Sequence, residues 1–434
     1  MTHRSSSQLY EKLKELLERV ERDPAIRLNR PAVQMASEVV RRSYLAWMVG
    51  DEARRLREKV RGIRVRTIAD LDKYLERAIK SLENAGFEVF IARTADEARK
   101  YAEEVVGDAR LVVKSKTTTA DEVGIPEMLE EKGIKVVETD LGERIMQLLK
   151  PKGWMPSHPM APSAHIPLKE IADVFSREVG EPVRPTFDSI LAAARRSLRR
   201  YFIEADVGIS GANSISADEG VVWIVENEGN IRHVTNLPER HLIVAGIEKV
   251  APTLQDSLTI VYALSKFVLP ERVLATYVSM IRGPSWSADL QGVRAVGVHG
   301  PRKVHVLFID NGRWKMLNEG FEEALYCIHC GNCLLSCPVY GNLCWYFGWK
   351  KYPVAWGIVH SAFSEGIEAA VRNGLFFCLQ CGSCREICAV AIDWPALISK
   401  LRARAISEGF CIPPFTELRE NIAKYGSIFP AGKS

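Results

Sequence analysis

The chain has 434 residues, 47% apolar and 26% charged, and its Lys and Arg outnumber its Asp and Glu by 58 − 54 = 4. That length supports two or three packed domains, and so small a basic excess makes no electrostatic case for nucleic acid. No apolar run is long enough for a bilayer, and His3, Arg4 and a serine triplet stand where a secretory leader would have its apolar core, so a soluble cytoplasmic protein is expected.

In chain order, Leu9, Leu13, Leu16, Leu17 and Val20 recur at helical intervals among charges, which predicts an amphipathic helix over 8–21 that needs a partner surface. Residues 1–59 read as an N-terminal helical segment. From Gly86, short apolar runs alternate with helix starts: GFEVFIAR before Thr94-Ala-Asp-Glu97, LVVK before Thr119-Ala-Asp-Glu122, then KVVET. Both Thr-x-x-Glu sequences have the form of a capping box, and the alternation reads as βαβ units. The loop Ser115-Lys116-Thr117-Thr118-Thr119, with Lys114 before it, offers hydroxyls, amides and lysines at a helix start. Such a loop suits a phosphate or carboxylate, and ordinary capping with surface lysines is an equal reading.

The proline-rich segment 154–167 predicts an extended connection, and its His158 and His165 are either proton carriers or structural loop histidines. Arg195, Arg196, Arg199 and Arg200 lie at helical spacing and read as a solvated face, with an anion or partner patch as the alternative. The loop GISGANSISADEG (208–220) is rich in small residues that let a ligand approach the backbone, but it lacks the G-x-G-x-x-G order of a dinucleotide site. Glu226-Asn227-Glu228-Gly229-Asn230 either meets a ligand or closes a polar turn. Runs at 221–225, 241–247 and 304–309 are apolar throughout, as strands covered on both faces must be. Residues 60–312 are therefore expected to form a three-layer α/β domain with a mostly parallel sheet, ending at an Asn311-Gly312 turn.

All ten cysteines follow residue 326, and eight form two runs of C-x2-C-x2-C-x3-C spacing, Cys327-Cys330-Cys333-Cys337 and Cys378-Cys381-Cys384-Cys388. Three thiolates on one tight turn reach three corners of a cubane, and the fourth corner takes its ligand from the other run. This assigns Cys327, Cys330, Cys333 and Cys388 to one 4Fe-4S cluster and Cys378, Cys381, Cys384 and Cys337 to a second. Pro338 suits the turn after the first run, while Ala389 stands at that place in the second. Structural zinc more commonly uses two separated C-x2-C pairs, and a disulfide framework would not leave 326 residues without a cysteine. Forty residues, 338–377, separate the runs, a spacing that resembles the helical ferredoxin domains of respiratory iron-sulfur subunits. Their Trp345, Tyr346, Phe347, Trp349, Tyr352 and Trp356 are expected to shield clusters or dock a partner, and Cys344 and Cys411 to be small buried apolar residues.

The segments VVKSKTTTADEVG, ETDLGERIMQL, PSHPMAPSAH, ADVGISGAN, VENEGN and LPERHLIVAGIEKVAPTLQD, followed by the two cysteine runs, look like the lactate-utilisation iron-sulfur protein family over nearly the whole chain. The resemblance implies a LUD domain, similar in fold to the sugar-phosphate isomerase and CoA-transferase group, and a helical two-cluster ferredoxin domain over 313–434. It also implies oxidation of L-lactate or a related 2-hydroxy acid to pyruvate in a complex with a cysteine-rich CCG-motif subunit and a second LUD-domain subunit. Lys114, Ser115, Lys116, Gly211, Asn213, Glu226, Asn227 and Glu228 carry over as ligand-facing residues. Ala217-Asp218-Glu219-Gly220 departs from the family's Ala-Glu-Thr-Gly and alters the charge beside that loop. Two other readings remain open: a self-contained LUD-fold enzyme or sensor with regulatory clusters, and an electron shuttle for a heterodisulfide-reductase-like complex.

Overall fold

The structure is a computed structural model, and it describes residues 3–428 apart from 25, 29, 32, 36–37, 39–46, 157, 160 and 269–273. Among the described residues, twelve strands precede the cysteine runs: β1 Glu88–Ala92, β2 Leu111–Lys114, β3 Lys135–Glu138, β4 Val207–Ser210, β5 Ser214–Ser216, β6 Val221–Glu226, β7 Arg240–Gly246, β8 Val250–Ala251, β9 Tyr277–Ile281, β10 Trp286–Leu290, β11 Val293–Val296 and β12 Lys303–Ile309. Six build the central sheet in the order β1-β12-β7-β4-β2-β3, with every pairing parallel. Alternate residues feed opposite faces: Leu242, Val244, Leu307 and Ile309 enter one apolar core, while Ile243, Ala245, Val306 and Phe308 enter another. A strand buried on both faces has no polar side, which is why β2, β4 and β7 are almost uniformly apolar. The α/β architecture with helices on both faces is the expected one.

The run at 221–225 belongs instead to a smaller mixed sheet, β8-β5-β6-β9, in which β6 runs antiparallel to β5 and β9. It is apolar on both faces because Trp223 and Val221 pack on Val261 while Val222 and Ile224 join the main core. Parallel pairing brings the C-terminal ends of β2, β3, β4, β7 and β12 to one edge, the side on which open α/β sheets bind ligands. The helical region that carries the cysteines caps this edge, and the helix Val354–Ser364 packs against the helix that follows β12.

Several local expectations change in the structure. The N-terminal helix runs from His3 to Arg22; it buries Leu13 and Val20 but leaves Leu17 39% exposed, and the Leu9 side chain lies outside the described residues. A second helix, Asp51–Ala69, continues through the expected division at 59/60. Thr94 accepts from the Glu97 N-H, and Glu97 reaches back to the Arg93 N-H, so the first capping box forms one residue early at its return bond. The second is not a cap. Thr117 caps the helix Thr118–Glu122, and the Glu122 carboxylate is instead committed to a buried arginine. The segment 154–167 is not extended: Ala161, Ala164 and Ile166 bond back to His158, Ala161 and Ser163, and His158 and His165 are buried. The four arginines of 195–200 are exposed, and Cys344 is fully buried, but Cys411 is only partly so. Among the described residues, no helix is long and apolar enough to cross a membrane.

Candidate functional site

The two cysteine runs fold alike. In each, a short 3-10 turn leads to the first cysteine, His329 or Gln380 takes a left-handed conformation (φ 57° and 55°), and Gly331 or Gly382 takes another (φ 80° in both) before a one-turn helix. These bends turn amides toward sulfur: the His329 N-H lies 3.3 Å from Cys327 Sγ and the Tyr340 N-H 3.5 Å from Cys337 Sγ. Cys388 interacts electrostatically with Cys327, Cys330 and Cys333, and Cys337 with Cys378, Cys381 and Cys384. Each run thus brings its last thiol to the other run's first three.

Burial pushes the Cys330 and Cys384 thiols up to about 12 and Cys337 up to about 11, so these sulfurs keep their protons until a metal displaces them. Two sets of four thiols, bent backbone and amides aimed at sulfur fit iron-sulfur clusters. The sets differ in depth. Cys330 and Cys388 are buried, whereas Cys381 is exposed and opens into a cleft of about 310 Å³ with Cys337, Cys378 and Cys384.

Behind the deeper set lies a buried charge network that joins it to the sheet edge. Arg313 has no exposed surface; its Nη1 and Nη2 donate to Glu122 at 2.9 and 2.8 Å, and its Nε donates to Glu248 at 2.6 Å. Tyr352 and Asn311 also donate to Glu122, and Glu248 lies 3.8 Å from His329 Nε2. Burial alone would raise both carboxyls, but Arg313 holds Glu122 low and Glu248 well below the ordinary range. Trp349, Tyr352 and Trp356 stack around this network and His360, and Tyr352 and Trp356 also meet the His329 ring beside the deeper thiols.

The residues expected to face a ligand are mostly engaged. Lys114 is fully buried, with its ammonium 3.1 Å from Asp121 and 2.9 Å from Glu138. Ser115 is buried and donates its N-H to Ile209, while Gly211 lies against Thr117. Lys116 pairs with Asp140 at 3.3 Å. Asn213 accepts from the Val225 N-H, Asn227 from Thr276 and Glu226 from the Ile231 N-H, so these close turns. Glu228 accepts from the Leu141 N-H, and burial with Asp140 pushes its carboxyl up to about 7. Burial likewise pushes Glu138 up to about 7.

The open space lies beside these residues, where a cleft of about 420 Å³ between the sheet edge and the cysteine region is lined by Thr118, Glu143, His158, Tyr340, Trp345 and Lys351, among others. None of the eight residues named above lines it. Lys351 Nζ bridges Asp121 at 3.0 Å and Glu143 at 2.8 Å; although burial lowers it, these carboxylates and Glu138 hold the ammonium above its ordinary value. Nothing in the sequence marks Lys351, Glu143 or Arg313, because Arg313 meets Glu248 and Glu122 across 65 and 191 positions and Lys351 meets Glu143 across 208.

A family model, the LUD domain, matches residues 75–309, and a 4Fe-4S dicluster domain matches residues 323–392. The chain is 35% identical over 360 residues to "Lactate utilization protein B" of Shouchella clausii, covering 82% of this chain and 72% of that protein. It is 32% identical over 348 residues to the protein of the same name in Bacillus subtilis, covering 80% and 70%. It is also 32% identical over 355 residues to "Uncharacterized electron transport protein YkgF" of Escherichia coli, covering 81% and 72%. With LUD and dicluster segments in the same order and this identity across most of its length, the chain belongs to the lactate utilization protein B family.

Proposed function

We propose that this chain is the iron-sulfur electron-transfer subunit of a complex that oxidises L-lactate, or a related 2-hydroxy acid, to pyruvate. Its two clusters would be held by Cys327, Cys330, Cys333 and Cys388, and by Cys378, Cys381, Cys384 and Cys337. When bound, such clusters supply one-electron carriers close enough to act in series. The observation that carries the reading is the exchange of the last thiol between two identically folded runs. A zinc site has no use for that arrangement, and a two-cluster ferredoxin requires it.

The depth of the two sets suggests an order. The inner set lies against the network of Glu248 and Arg313 at the sheet edge, and the outer set reaches the surface at Cys381, where a partner can approach. The organic oxidation moves two electrons, which one-electron clusters do not take together, and the partners that the family resemblance implies are a CCG-motif cysteine-rich subunit and a second LUD-domain subunit. Co-expression of the three, anaerobic purification and assay of L-lactate-dependent reduction of an artificial acceptor test the reading. Reduction that persists without this chain would sink it. A self-contained LUD-fold transferase would need an accessible carboxylate nucleophile. Glu226 is 6% exposed and is held by the Ile231 N-H at 2.7 Å, which leaves that reading without support here.

A further inference from the structure

The cleft between the sheet edge and the cysteine region has the lining of a small-molecule site. Its walls are largely apolar, from Tyr340, Trp345, Pro156, Pro159 and Pro162, and Glu143 and Lys351 pair within its lining. There Lys351 presents an ammonium with three donors, of which Asp121 and Glu143 take two. Thr118, whose hydroxyl also meets Tyr352, stands at the first position of a helix, and Glu143 is an acceptor, while the ammonium of Lys350 is engaged with the Glu122 carbonyl. A few polar groups within an apolar cavity are the usual form of a site for a small, oriented ligand.

We infer that this interdomain cleft binds a short 2-hydroxy or 2-oxo carboxylate, with Lys351 pairing its carboxylate, Thr118 donating to its 2-oxygen, Glu143 accepting from that oxygen where it is a hydroxyl, and the apolar wall of Tyr340 and Trp345 taking its short side chain. The assignment rests on the proposed function, which supplies the ligand class, but its location is read from the cleft itself. Glu143 favours a ligand with a hydroxyl, since a carboxylate accepts the hydrogen bond that a hydroxyl donates.

Position strengthens the case. Tyr340 closes the cleft, has 1% of its surface exposed, donates its N-H to Cys337 Sγ and lies within electrostatic reach of both Cys333 and Cys337. A ligand in the cleft is therefore separated from both thiol sets by one side chain. Lys351 and Tyr340 both come from the region of the cysteine runs, whereas Thr118 and Glu143 come from the LUD domain, so the cleft exists only when the two parts are docked.

The test uses the full chain with its clusters reconstituted anaerobically and checked by visible absorbance. Oxamate, and separately propionate, which lacks a 2-oxygen, are titrated by calorimetry into the native chain, Lys351→Met and Thr118→Val. Native protein should bind oxamate saturably and propionate more weakly; Lys351→Met should weaken oxamate by about tenfold or more, as loss of a charge-assisted hydrogen bond does. Thr118→Val should weaken it by less, and it carries the test if Lys351→Met fails to assemble its clusters. Failure of native protein to bind oxamate, in a preparation whose complex oxidises L-lactate, overturns the cleft assignment and leaves the function standing. Undiminished binding by both variants also overturns it. Binding lost in the variants, alongside a complex inert to L-lactate, keeps the cleft and removes the proposed function.

Discussion

Arg313 shows how one side chain can hold two halves of a protein together. Among the described residues it is the largest fully buried side chain, and it ties Glu122 of the sheet edge to Glu248 after β7 while the aromatic rings of 349–356 cover it. A buried ion pair is weak support for stability against an apolar replacement of both partners, but removing one partner strands the other in a medium that cannot solvate it. Arg313→Met leaves two buried carboxylates without their cation, so it should destabilise the chain by about 3–5 kcal/mol. Denaturant titration of the reconstituted protein checks this, and adding Glu122→Gln to Arg313→Met should recover part of the loss. A midpoint unchanged by Arg313→Met would show that the network contributes little. The turn that delivers Arg313 is legible in the sequence: Asn311 and Gly312 adopt left-handed conformations (φ 41° and 97°), which Asn and Gly tolerate best. A Cβ at Gly312 would stand 2.7 Å from the Phe363 carbonyl, so the turn also seats the following helix. The role of Arg313 is not legible, because Glu122 lies 191 positions earlier and its Thr-x-x-Glu context has the form of a cap.

At the scale of elements, the cysteine runs were the most readable part of the chain, because their chemistry depends on local spacing. The repeated pattern of left-handed residues at 329 and 380 and at 331 and 382 is what three thiols on one turn require of the backbone. The exchange of the fourth thiol makes a prediction that uncrossed ligation does not share. Cys337→Ser should remove the same cluster as Cys378→Ser, and Cys388→Ser the same cluster as Cys330→Ser, with iron falling from about eight to about four atoms per chain in each variant. EPR of the reduced variants identifies which signal survives; pairing of Cys337→Ser with Cys330→Ser would rule the crossed arrangement out. The parallel strands were legible for a similar reason, since burial on both faces leaves an unmistakable apolar run. That same reasoning placed β6 in the wrong sheet, because a mixed sheet covered on both sides writes the same run. The cleft was not legible. Its Lys351 and Tyr340 come from the segment between the runs, where the aromatic residues drew attention, and its prolines from a segment whose composition suggests extension but whose backbone folds into turns.

For the whole molecule, histidine burial sets the response to acid. His158 in the turns over the cleft, His241 in the central strand β7 and His360 in the helix of the cysteine region are each held neutral by burial, which lowers them to about 4, about 3 and about 4. In an unfolded chain they would titrate near 6.5. Below that pH the unfolded state binds protons that the folded state refuses, so stability present above pH 6.5 is lost as the pH falls toward 4. For His360, whose value moves from 6.5 to about 4, the loss amounts to about 3 kcal/mol across that window, as an upper bound. The three residues sit in different parts of the chain, and the main apolar core runs without interruption from the helices of 51–85 through the smaller sheet into the cysteine region. Acid should therefore loosen the LUD domain and the ferredoxin region in one transition. Glu138 and Glu228, raised to about 7 in the fold, oppose this by taking up protons first as the pH falls. Denaturant midpoints of the reconstituted protein should then fall only from pH 6.5 to pH 5 and less steeply than the three histidines alone would give, with far-UV dichroism and cluster absorbance moving together. His360→Gln should flatten the slope by removing one of the groups that must charge. Midpoints that stay level across this range, or two signals that separate, would mean that these imidazoles are solvated in the native state or that the two halves unfold independently.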